Sequence, residues 1–247
     1  MNRKNIIYIV GMGPGNERQM TAEAMDALKA SAVIVGYTTY IALLREMLPE
    51  KNFQATPMRQ EIERCRMAFR LASEGNAVAI VSSGDSGVYG MAAPMFTLLP
   101  EYPDTELVVV PGITAAMSGA ALLGAPINHD FAVISLSDLL TPWEVIEKRL
   151  RAAVLGDFAV VLYNPASHKR KDYLQRACDI LLSAGALPTR ACGYVENIGR
   201  DGTQKTVCTL ETLRTAEVNM FTTVFIGNSQ SYIRDGHLIT ERGYRIS

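Results

Sequence analysis

Short apolar runs alternate with amphipathic stretches along the first half of the chain. Four runs have the length and composition of buried strands, with β-branched residues prominent: Ile6–Val10, Ala32–Val35, Val78–Val81 and Leu107–Val110. Helical periodicity follows near residues 19–30, 39–48, 60–74, 89–99 and 113–123. Strands that alternate with helices in this way predict a parallel sheet covered by helices.

A segment rich in turn-forming residues, Gly124–Asp130, interrupts this alternation. The second half then predicts strands at Phe131–Ser135, Phe158–Tyr163, Arg190–Val195, Lys205–Thr209 and Thr222–Ile226, and helices near 142–154 and 170–184. A short loop with Gly199 and Gly202 separates two of these strands, so we expect an antiparallel hairpin there. The pattern predicts an α/β fold of two α/β domains, with a parallel sheet in residues 1–124 and a mixed sheet in residues 125–247.

The composition narrows the class of protein. The 247 residues are 48% apolar and 20% charged, which is typical of a globular protein, and the net charge of −1 argues against nucleic-acid binding. The three histidines are not paired at metal-ligand spacing, so no metal site is expected. The four cysteines lack a Cys-x-x-Cys pair, which favours free thiols in a reducing compartment. The first apolar run is too short for a signal peptide or a membrane span, so we expect a cytoplasmic protein without membrane association.

The first apolar run ends in the turn Gly11-Met-Gly-Pro-Gly15, which indicates a small-molecule site. Glycine adopts positive φ and lets the backbone approach a ligand closely, and ligands bind at the carboxyl ends of parallel strands. A dinucleotide is disfavoured, because its motif needs a glycine where Asn16 stands and an acidic residue where the chain has Gly36-Tyr37. Pro14 also lacks the amide that would donate to a pyrophosphate.

Two further predicted strands end in turns. The segment Ser82-Ser-Gly-Asp-Ser-Gly-Val-Tyr-Gly90 carries Asp85, which has two interpretations: it faces a ligand, or it caps the helix that follows. The segment Pro111-Gly-Ile-Thr-Ala115 places Thr114 at the start of a helix. We expect all three turns to converge at one edge of the sheet.

In order and spacing, Gly-x-Gly-Pro-Gly, Ser-Gly-Asp-x-x-x-Tyr-Gly and Pro-Gly-Ile-Thr-Ala resemble the motifs of the tetrapyrrole methylase family. The resemblance covers essentially the whole chain. It implies an S-adenosylmethionine-dependent methyltransferase, with an active-site cleft between two α/β domains, that forms a homodimer. Many members have Gly-Asp-Pro where this chain has Gly84-Asp85-Ser86, and we expect that difference to alter the turn but not the cofactor chemistry.

Three segments of the second half resemble the subgroup that methylates carbon 17 of the corrin precursor in cobalamin biosynthesis: His129–Trp143, Leu162–Arg170 and Val195–Thr203. This resemblance implies precorrin-3B or cobalt-factor III as the tetrapyrrole substrate, and a ring contraction that extrudes carbon 20. Two alternatives remain. One is another corrin or sirohaem methylase that acts on a different carbon, and the other is a non-catalytic tetrapyrrole-binding module.

The resemblance also implies site residues. Around S-adenosylmethionine it places Gly11, Gly13, Pro14, Ser83, Gly84, Asp85, Val88, Thr114, Ala115 and Asn164. For the ring chemistry the candidates are His129, Asp138 and Arg200. An unperturbed histidine titrates near neutrality, as a general base should, although a lone histidine between Asn128 and Asp130 is more often a loop residue.

The acetate and propionate groups of such an acceptor require a local cationic patch. The basic run His168-Lys-Arg-Lys171 and Arg200 are candidates. A solvated helix start also explains the basic run, whereas the Gly-Arg-Asp-Gly loop around Arg200 favours a functional role. A sulfonium methyl group is already electrophilic, so positioning the two partners, worth roughly 7–11 kcal/mol, is enough without a metal or a covalent nucleophile.

Overall fold

The computed structural model describes residues 5–167 and 170–244. The chain separates into two compact units, Met1–Ala115 and Ala116–Ser247. This division assigns nearly all of the helix Ala115–Leu123 to the second unit, whereas a boundary after residue 124 would leave it in the first. The boundary at residue 124 therefore stays a prediction.

The first unit alternates strands and helices as the sequence predicts. Its strands are β1 (Asn5–Gly11), β2 (Val33–Tyr37), β3 (Asn52–Thr56), β4 (Val78–Ser82) and β5 (Thr105–Val110). Its helices are α1 (Ala22–Ala30), α2 (Thr38–Met47), α3 (Glu61–Ser73) and α4 (Ala92–Leu98). Short 3-10 helices lie at Glu17–Gln19 and Leu99–Glu101.

The five strands of the first unit form a parallel sheet in the order β3-β2-β4-β1-β5. Both faces of this sheet are covered. In β1, Ile7 and Ile9 pack with Phe69 of α3, while Val10 packs on the other face with Leu28 of α1. Because both faces are buried, the central strands have continuous apolar sequences, and this is why they could be predicted.

The second unit holds the remaining elements. Its helices are α5 (Ala115–Leu123), α6 (Trp143–Leu155), α7 (Tyr173–Ser183) and α8 (Leu210–Leu213). Its strands are β6 (Gly124–Ala125), β7 (Phe131–Ser135), β8 (Ala159–Tyr163), β9 (Ala191–Glu196), β10 (Gln204–Thr209), β11 (Thr222–Ile226), β12 (Ser231–Arg234) and β13 (His237–Thr240).

The larger sheet of the second unit is mixed, as predicted, in the order β10-β9-β11-β8-β7. β7 and β8 are parallel, and the other neighbours are antiparallel. The predicted hairpin is confirmed as β9 and β10, which pair from Glu196 with Gln204 to Ala191 with Thr209. A second small sheet, β12-β13-β6, was not predicted.

Strand direction determines where the loops of the second unit lie. β11 is antiparallel to both β8 and β9, so β7, β8 and β9 all run the same way. The loops that follow these three strands therefore lie at one edge, which we call the carboxyl edge of the mixed sheet. The chain enters β7 at the opposite edge.

Candidate active site

Three turns follow neighbouring strands at the carboxyl edge of the parallel sheet. β1 lies between β4 and β5 and is parallel to both. The turns that begin after Gly11, Ser82 and Val110 are therefore side by side. This is the convergence that the sequence predicts.

The first two turns are joined through their backbones. The Gly13 N–H donates to the Gly84 carbonyl at 3.1 Å, and the Gly84 N–H donates to the Gly13 carbonyl at 2.7 Å. Gly13 has φ 73° and Gly84 has φ 70°, in the left-handed region that favours glycine. The bridge therefore depends on glycine at both positions.

The third turn packs against the other two without room for a side chain. A Cβ on Gly112 would lie 2.2 Å from the Gly84 oxygen and 2.5 Å from the Gly11 oxygen. A Cβ on Gly11 would lie 2.7 Å from the Gly112 nitrogen. Both neighbours are backbone, so neither can move aside without moving its whole turn.

Asp85 links the second turn to the third. Its Oδ2 accepts from the Gly112 N–H at 2.9 Å, and its Oδ1 accepts from the Gly87 N–H at 2.8 Å. The following helix, α4, begins at Ala92 and has Met91 at its N-cap. The helix-cap interpretation of Asp85 is therefore wrong, because the carboxylate holds two turn amides instead.

Two hydroxyls that sequence reasoning missed reinforce this assembly. Ser86, at the position where many family members have proline, is fully buried and donates from Oγ to the Ile9 carbonyl of β1 at 3.2 Å. Thr21 donates from Oγ1 to the Pro111 carbonyl at 3.2 Å. Proline could not make the first of these bonds, so the unusual residue ties the turn to the neighbouring strand.

The remaining predicted cofactor contacts of the first unit lie in or beside the same turns. Pro14 is buried, and Ser83, Val88, Thr114 and Ala115 are partly exposed. The Gly13 N–H already bonds to Gly84 and Pro14 has no N–H, so this turn lacks two donors that a pyrophosphate would use. The geometry therefore also disfavours a dinucleotide.

At the carboxyl edge of the mixed sheet, the structure brings together loops that carry Asp138, Asn164 and Arg200. Asn164 directly follows β8, has φ 55° and donates from Nδ2 to Ser135 Oγ at 2.9 Å. Ser135 Oγ also accepts from the Ser137 N–H at 3.2 Å. The Ser135 hydroxyl therefore links the loops that follow β7 and β8.

Asp138 belongs to a cluster of charged and aromatic side chains. Tyr173 donates from Oη to Asp138 Oδ2 at 2.5 Å, and Arg170 Nε lies 2.7 Å from Oδ1 in an ion pair. The hydrogen bond to Asp138 raises the pKa of Tyr173, and burial adds to the increase. The Trp143 and Tyr173 ring centroids are 4.7 Å apart, and the Arg176 guanidinium lies 3.9 Å from the Trp143 centroid. Sequence reasoning named Asp138 and the run containing Arg170, but not the aromatic residues or Arg176.

Arg200 lies in the loop between β9 and β10. Its N–H donates to the Asn197 carbonyl at 3.0 Å, and its own carbonyl accepts from Thr203 Oγ1 at 2.7 Å. The guanidinium lies 5.0 Å from the centroid of the Phe221 ring. These contacts hold a partly exposed cation at the carboxyl edge of the mixed sheet.

His129 lies at the opposite edge of that sheet, before β7. Its Nδ1 accepts from the Asp130 N–H at 2.7 Å, and the residue lines a cavity of about 350 Å³ with Asp157 and Arg242 among its neighbours. The five residues of β7, at about 3.3 Å each, separate it from the Asp138 loop by roughly 16 Å. The structure therefore does not bring His129 together with the other candidates for ring chemistry. Of the basic run, His168 and Lys169 lie outside the described residues.

The four cysteines are free thiols, as predicted. Burial raises the pKa of Cys65 and of Cys208 to about 11, and that of Cys178 to about 12. These thiols stay protonated at neutral pH and are weak nucleophiles. Across residues 5–167 and 170–244, no three His, Cys, Asp or Glu side chains are grouped to hold a metal ion, and no helix could cross a membrane.

Known proteins resemble the chain over nearly its whole length. The family model for Tetrapyrrole (Corrin/Porphyrin) Methylases matches residues 6–214. A Salmonella typhimurium protein named "Probable cobalt-factor III C(17)-methyltransferase" is 44% identical over 98% of this chain and 100% of its own length. A Sinorhizobium sp protein named "Precorrin-3B C(17)-methyltransferase" is 38% identical over 93% of this chain and 92% of its own. The crystal structure of the methyltransferase CobJ is 37% identical and superposes with a TM-score of 0.88, covering 96% of this chain and 100% of that one. This chain therefore belongs to the tetrapyrrole (corrin/porphyrin) methylases.

Proposed function

We propose that this chain is an S-adenosylmethionine-dependent C-methyltransferase of cobalamin biosynthesis. It methylates carbon 17 of precorrin-3B or cobalt-factor III, and the ring contracts in the reaction. Family membership and the names of two relatives support the tetrapyrrole acceptor and the position of the methyl group. The observation that carries the proposal is the contact between the glycine turns at the carboxyl edge of the parallel sheet.

The residues of these turns fit S-adenosylmethionine better than a phosphate-bearing ligand. The segments 11–15, 83–90 and 111–115 contain no lysine or arginine, and their charged residue is Asp85. A carboxylate complements the positive sulfonium and ammonium groups of S-adenosylmethionine, whereas it would repel a pyrophosphate. We propose that the cofactor is held by Gly11, Gly13, Pro14, Ser83, Gly84, Asp85, Val88, Thr114, Ala115 and Asn164.

When bound, S-adenosylmethionine supplies an electrophilic methyl group on sulfur. The chain's own residues then have to bind and orient the two partners. Turns fixed by backbone bridges and by Asp85 are suited to this task, because hydrogen bonds within the protein set their geometry. Such positioning accounts for roughly 7–11 kcal/mol in well-oriented reactions.

We propose that the acceptor is recognised at the carboxyl edge of the mixed sheet. Asp138 and Arg200 both lie there and are better placed than His129 to serve one acceptor. Arg200 is partly exposed with its guanidinium 5.0 Å from the Phe221 centroid, and arginine is the residue type that binds a carboxylate with two parallel N–H donors. A homodimer, expected from the family, and a cytoplasmic location, expected from the sequence, complete the proposal, and both stay predictions.

The nature of the cofactor can be tested by thermal unfolding. S-adenosylhomocysteine at 100 times its Kd should stabilise the unit that binds it by about 2.7 kcal/mol and raise the melting temperature, whereas NADH should not. The measurement is a differential scan of the whole chain with each ligand. A shift with NADH and none with S-adenosylhomocysteine would contradict the assignment.

Substitution of Arg200 tests how the acceptor is held. Arg200→Ala removes a charged hydrogen-bonding partner worth about 1.5–3 kcal/mol, so tetrapyrrole affinity should fall roughly tenfold to a hundredfold. Lysine at this position should restore part of the affinity, because it supplies charge without the planar fork. Affinity for S-adenosylhomocysteine should not change.

A matched control is Arg234→Ala. Arg234 is also an arginine over an aromatic ring, 4.9 Å from the Tyr232 centroid, but it lies in the small sheet. The Arg234→Ala variant should bind the tetrapyrrole with the affinity of the wild type. If Arg200→Ala weakens both ligands equally, Arg200 shapes the fold of its unit and has no specific role toward the acceptor.

A further inference from the structure

The contacts of the Asp138 carboxylate are not explained by a role as a catalytic group. Tyr173 donates to one carboxylate oxygen of Asp138 at 2.5 Å, and Arg170 Nε lies 2.7 Å from the other. Tyr173 is only 8% exposed. Among the described residues, the buried Oδ1 meets no donor in hydrogen-bonding geometry, so its contact with Arg170 is an ion pair, while Oδ2 accepts from the phenol. Both oxygens of Asp138 are therefore engaged by groups of the protein itself.

We propose that Arg170 binds a carboxylate of the tetrapyrrole acceptor, and that Asp138 and Tyr173 are positioning residues that aim its guanidinium. The inference rests on the proposed function, since it takes a polyanionic acceptor as the ligand. It assigns Asp138 to the positioning of Arg170 and not to proton transfer.

The position of Asp138 leaves the binding end of Arg170 available. The carboxylate approaches Nε, and among the residues described no other acid is ion-paired with Arg170. Its side chain is 21% exposed, which is partial shielding rather than burial. The two terminal nitrogens can therefore present parallel N–H donors to an incoming carboxylate, the geometry that makes arginine a bidentate ligand.

The hydroxyl of Tyr173 fixes the carboxylate in turn. The phenol is protonated in the neutral range and donates to Asp138, and this hydrogen bond raises the pKa of Tyr173 above its ordinary value. The chain of contacts thus runs from a buried phenol through a carboxylate to a guanidinium. Each step orients the next one, and the Asp138 and Arg170 side chains at the end of the chain of contacts are both partly exposed.

The charge of the cluster supports an anionic ligand independently. Arg176 lies 3.9 Å from the Trp143 centroid and 5.1 Å from the Tyr173 centroid, and no acid among the described residues forms an ion pair with it. Arg170 lies 5.8 Å from the same Tyr173 ring. Two guanidinium groups and one carboxylate therefore lie around the Tyr173 side chain, so positive charge is in excess among these groups on a chain whose net charge is −1.

The location agrees with this role. Asp138 follows β7 and Arg170 follows β8, so both belong to the carboxyl edge of the mixed sheet. Ser135 links the same two loops by accepting from Asn164 Nδ2. Arg200 lies in the loop after β9 at that edge. Cations from two loops of one edge can bind separate carboxylates of one macrocycle.

Steady-state kinetics with cobalt-factor III and S-adenosylmethionine test the proposal. Arg170→Ala should raise the KM for cobalt-factor III tenfold to a hundredfold and change kcat by less than threefold. Arg170→Lys should recover part of the loss. Asp138→Asn and Tyr173→Phe should raise KM by a smaller factor and leave the pH profile of kcat unchanged. The Kd for S-adenosylhomocysteine should stay at the wild-type value in all four.

Arg214→Ala is the matched control. It breaks a second arginine–aspartate pair, Arg214 with Asp179, which involves the same helix α7 but is exposed and outside the cluster. Its KM and kcat should equal those of the wild type. Circular dichroism of each variant separates loss of folding from loss of binding, and Arg170→Lys keeps the test informative if Arg170→Ala does not fold.

A chemically altered acceptor makes the assignment specific. Cobalt-factor III with its carboxyl groups esterified should bind the wild type more weakly than the free acid does, and Arg170→Ala should show a smaller difference between the two. An equal difference in both proteins would overturn the proposal. So would a fall of kcat by a hundredfold or more in Asp138→Asn with KM unchanged, because that would make Asp138 a proton-transfer group. If the wild type bound S-adenosylhomocysteine but not the tetrapyrrole, the proposed function itself would be contradicted. That result differs from failure of the Arg170 assignment, in which the wild type and Arg170→Ala bind the tetrapyrrole equally well.

Discussion

Gly112→Ala is expected to lower the affinity for S-adenosylhomocysteine by about 100-fold, or about 2.7 kcal/mol. The added Cβ would lie 2.2 Å from the Gly84 oxygen and 2.5 Å from the Gly11 oxygen, so it would push apart all three turns of the proposed cofactor site. Overpacking of this kind costs typically 1–3 kcal/mol even where side chains can move aside, and here both neighbours are backbone. Isothermal titration with S-adenosylhomocysteine measures the change.

Gly75→Ala is the control for this substitution. Gly75 has φ 89° and its Cβ would meet nothing within 4 Å, so alanine there strains one residue without touching the turns. A left-handed alanine should reduce stability by roughly 1–2 kcal/mol and leave the affinity for S-adenosylhomocysteine unchanged. A folded Gly112→Ala protein that binds the ligand like the wild type would show that the cofactor does not depend on these turns.

Asp85→Ala should reduce methyl transfer tenfold or more, which corresponds to a barrier higher by about 1.4 kcal/mol. The carboxylate accepts from two backbone amides, and its loss leaves the Gly112 and Gly87 N–H groups without their acceptor. Hydrogen bonds to a charged group contribute about 1.5–3 kcal/mol each, so stability should fall together with activity. The fold should survive, because the Gly13–Gly84 bridge remains.

A second aspartate separates the local effect from the general one. Asp157 accepts from the Ser229 N–H at 2.9 Å, and Asp157→Ala removes a comparable loop contact in the other unit. It should reduce stability while the affinity for S-adenosylhomocysteine stays constant. If Asp85→Ala lost stability alone and kept full activity, Asp85 would be a structural residue with no effect on the cofactor.

The fold of the first unit was largely predictable, because its central strands are buried on both faces. β3 was missed for the complementary reason. It lies at the edge of the sheet, and only Phe53 and Thr56 are buried in the sequence Asn-Phe-Gln-Ala-Thr. An edge strand of this kind has no apolar run to reveal it.

The small sheet of the second unit could not be predicted from local pattern. β6 consists of Gly124 and Ala125, and it pairs with Leu238 and Ile239 of β13. A strand of two residues that pairs with residues far away in the sequence shows no hydrophobic periodicity. Their pairing is decided by tertiary contacts, such as the bond from Thr240 Oγ1 to the Pro126 carbonyl at 2.7 Å.

In the site too, features set by neighbouring residues could be predicted, whereas contacts between residues distant in sequence could not. The three turns were predictable, because each one directly follows an apolar strand. The partner of Asp85 was not, since Gly112 lies in another turn and a helix cap was an equally good local explanation. Tyr173 and Arg176 sit three residues apart on α7, an ordinary helical spacing, and nothing in their sequence indicates that they meet Asp138 and Trp143.

The most direct test of the central claim is analysis of the product formed with methyl-labelled S-adenosylmethionine. Purified protein is incubated with precorrin-3B and, separately, with cobalt-factor III, and the product is examined by mass spectrometry and NMR. We expect one labelled methyl group, on carbon 17, in the product of at least one acceptor. A label on a different carbon would contradict the assignment to carbon 17. Binding of both ligands with no labelled product from either acceptor would contradict the claim that this chain is a methyltransferase for them.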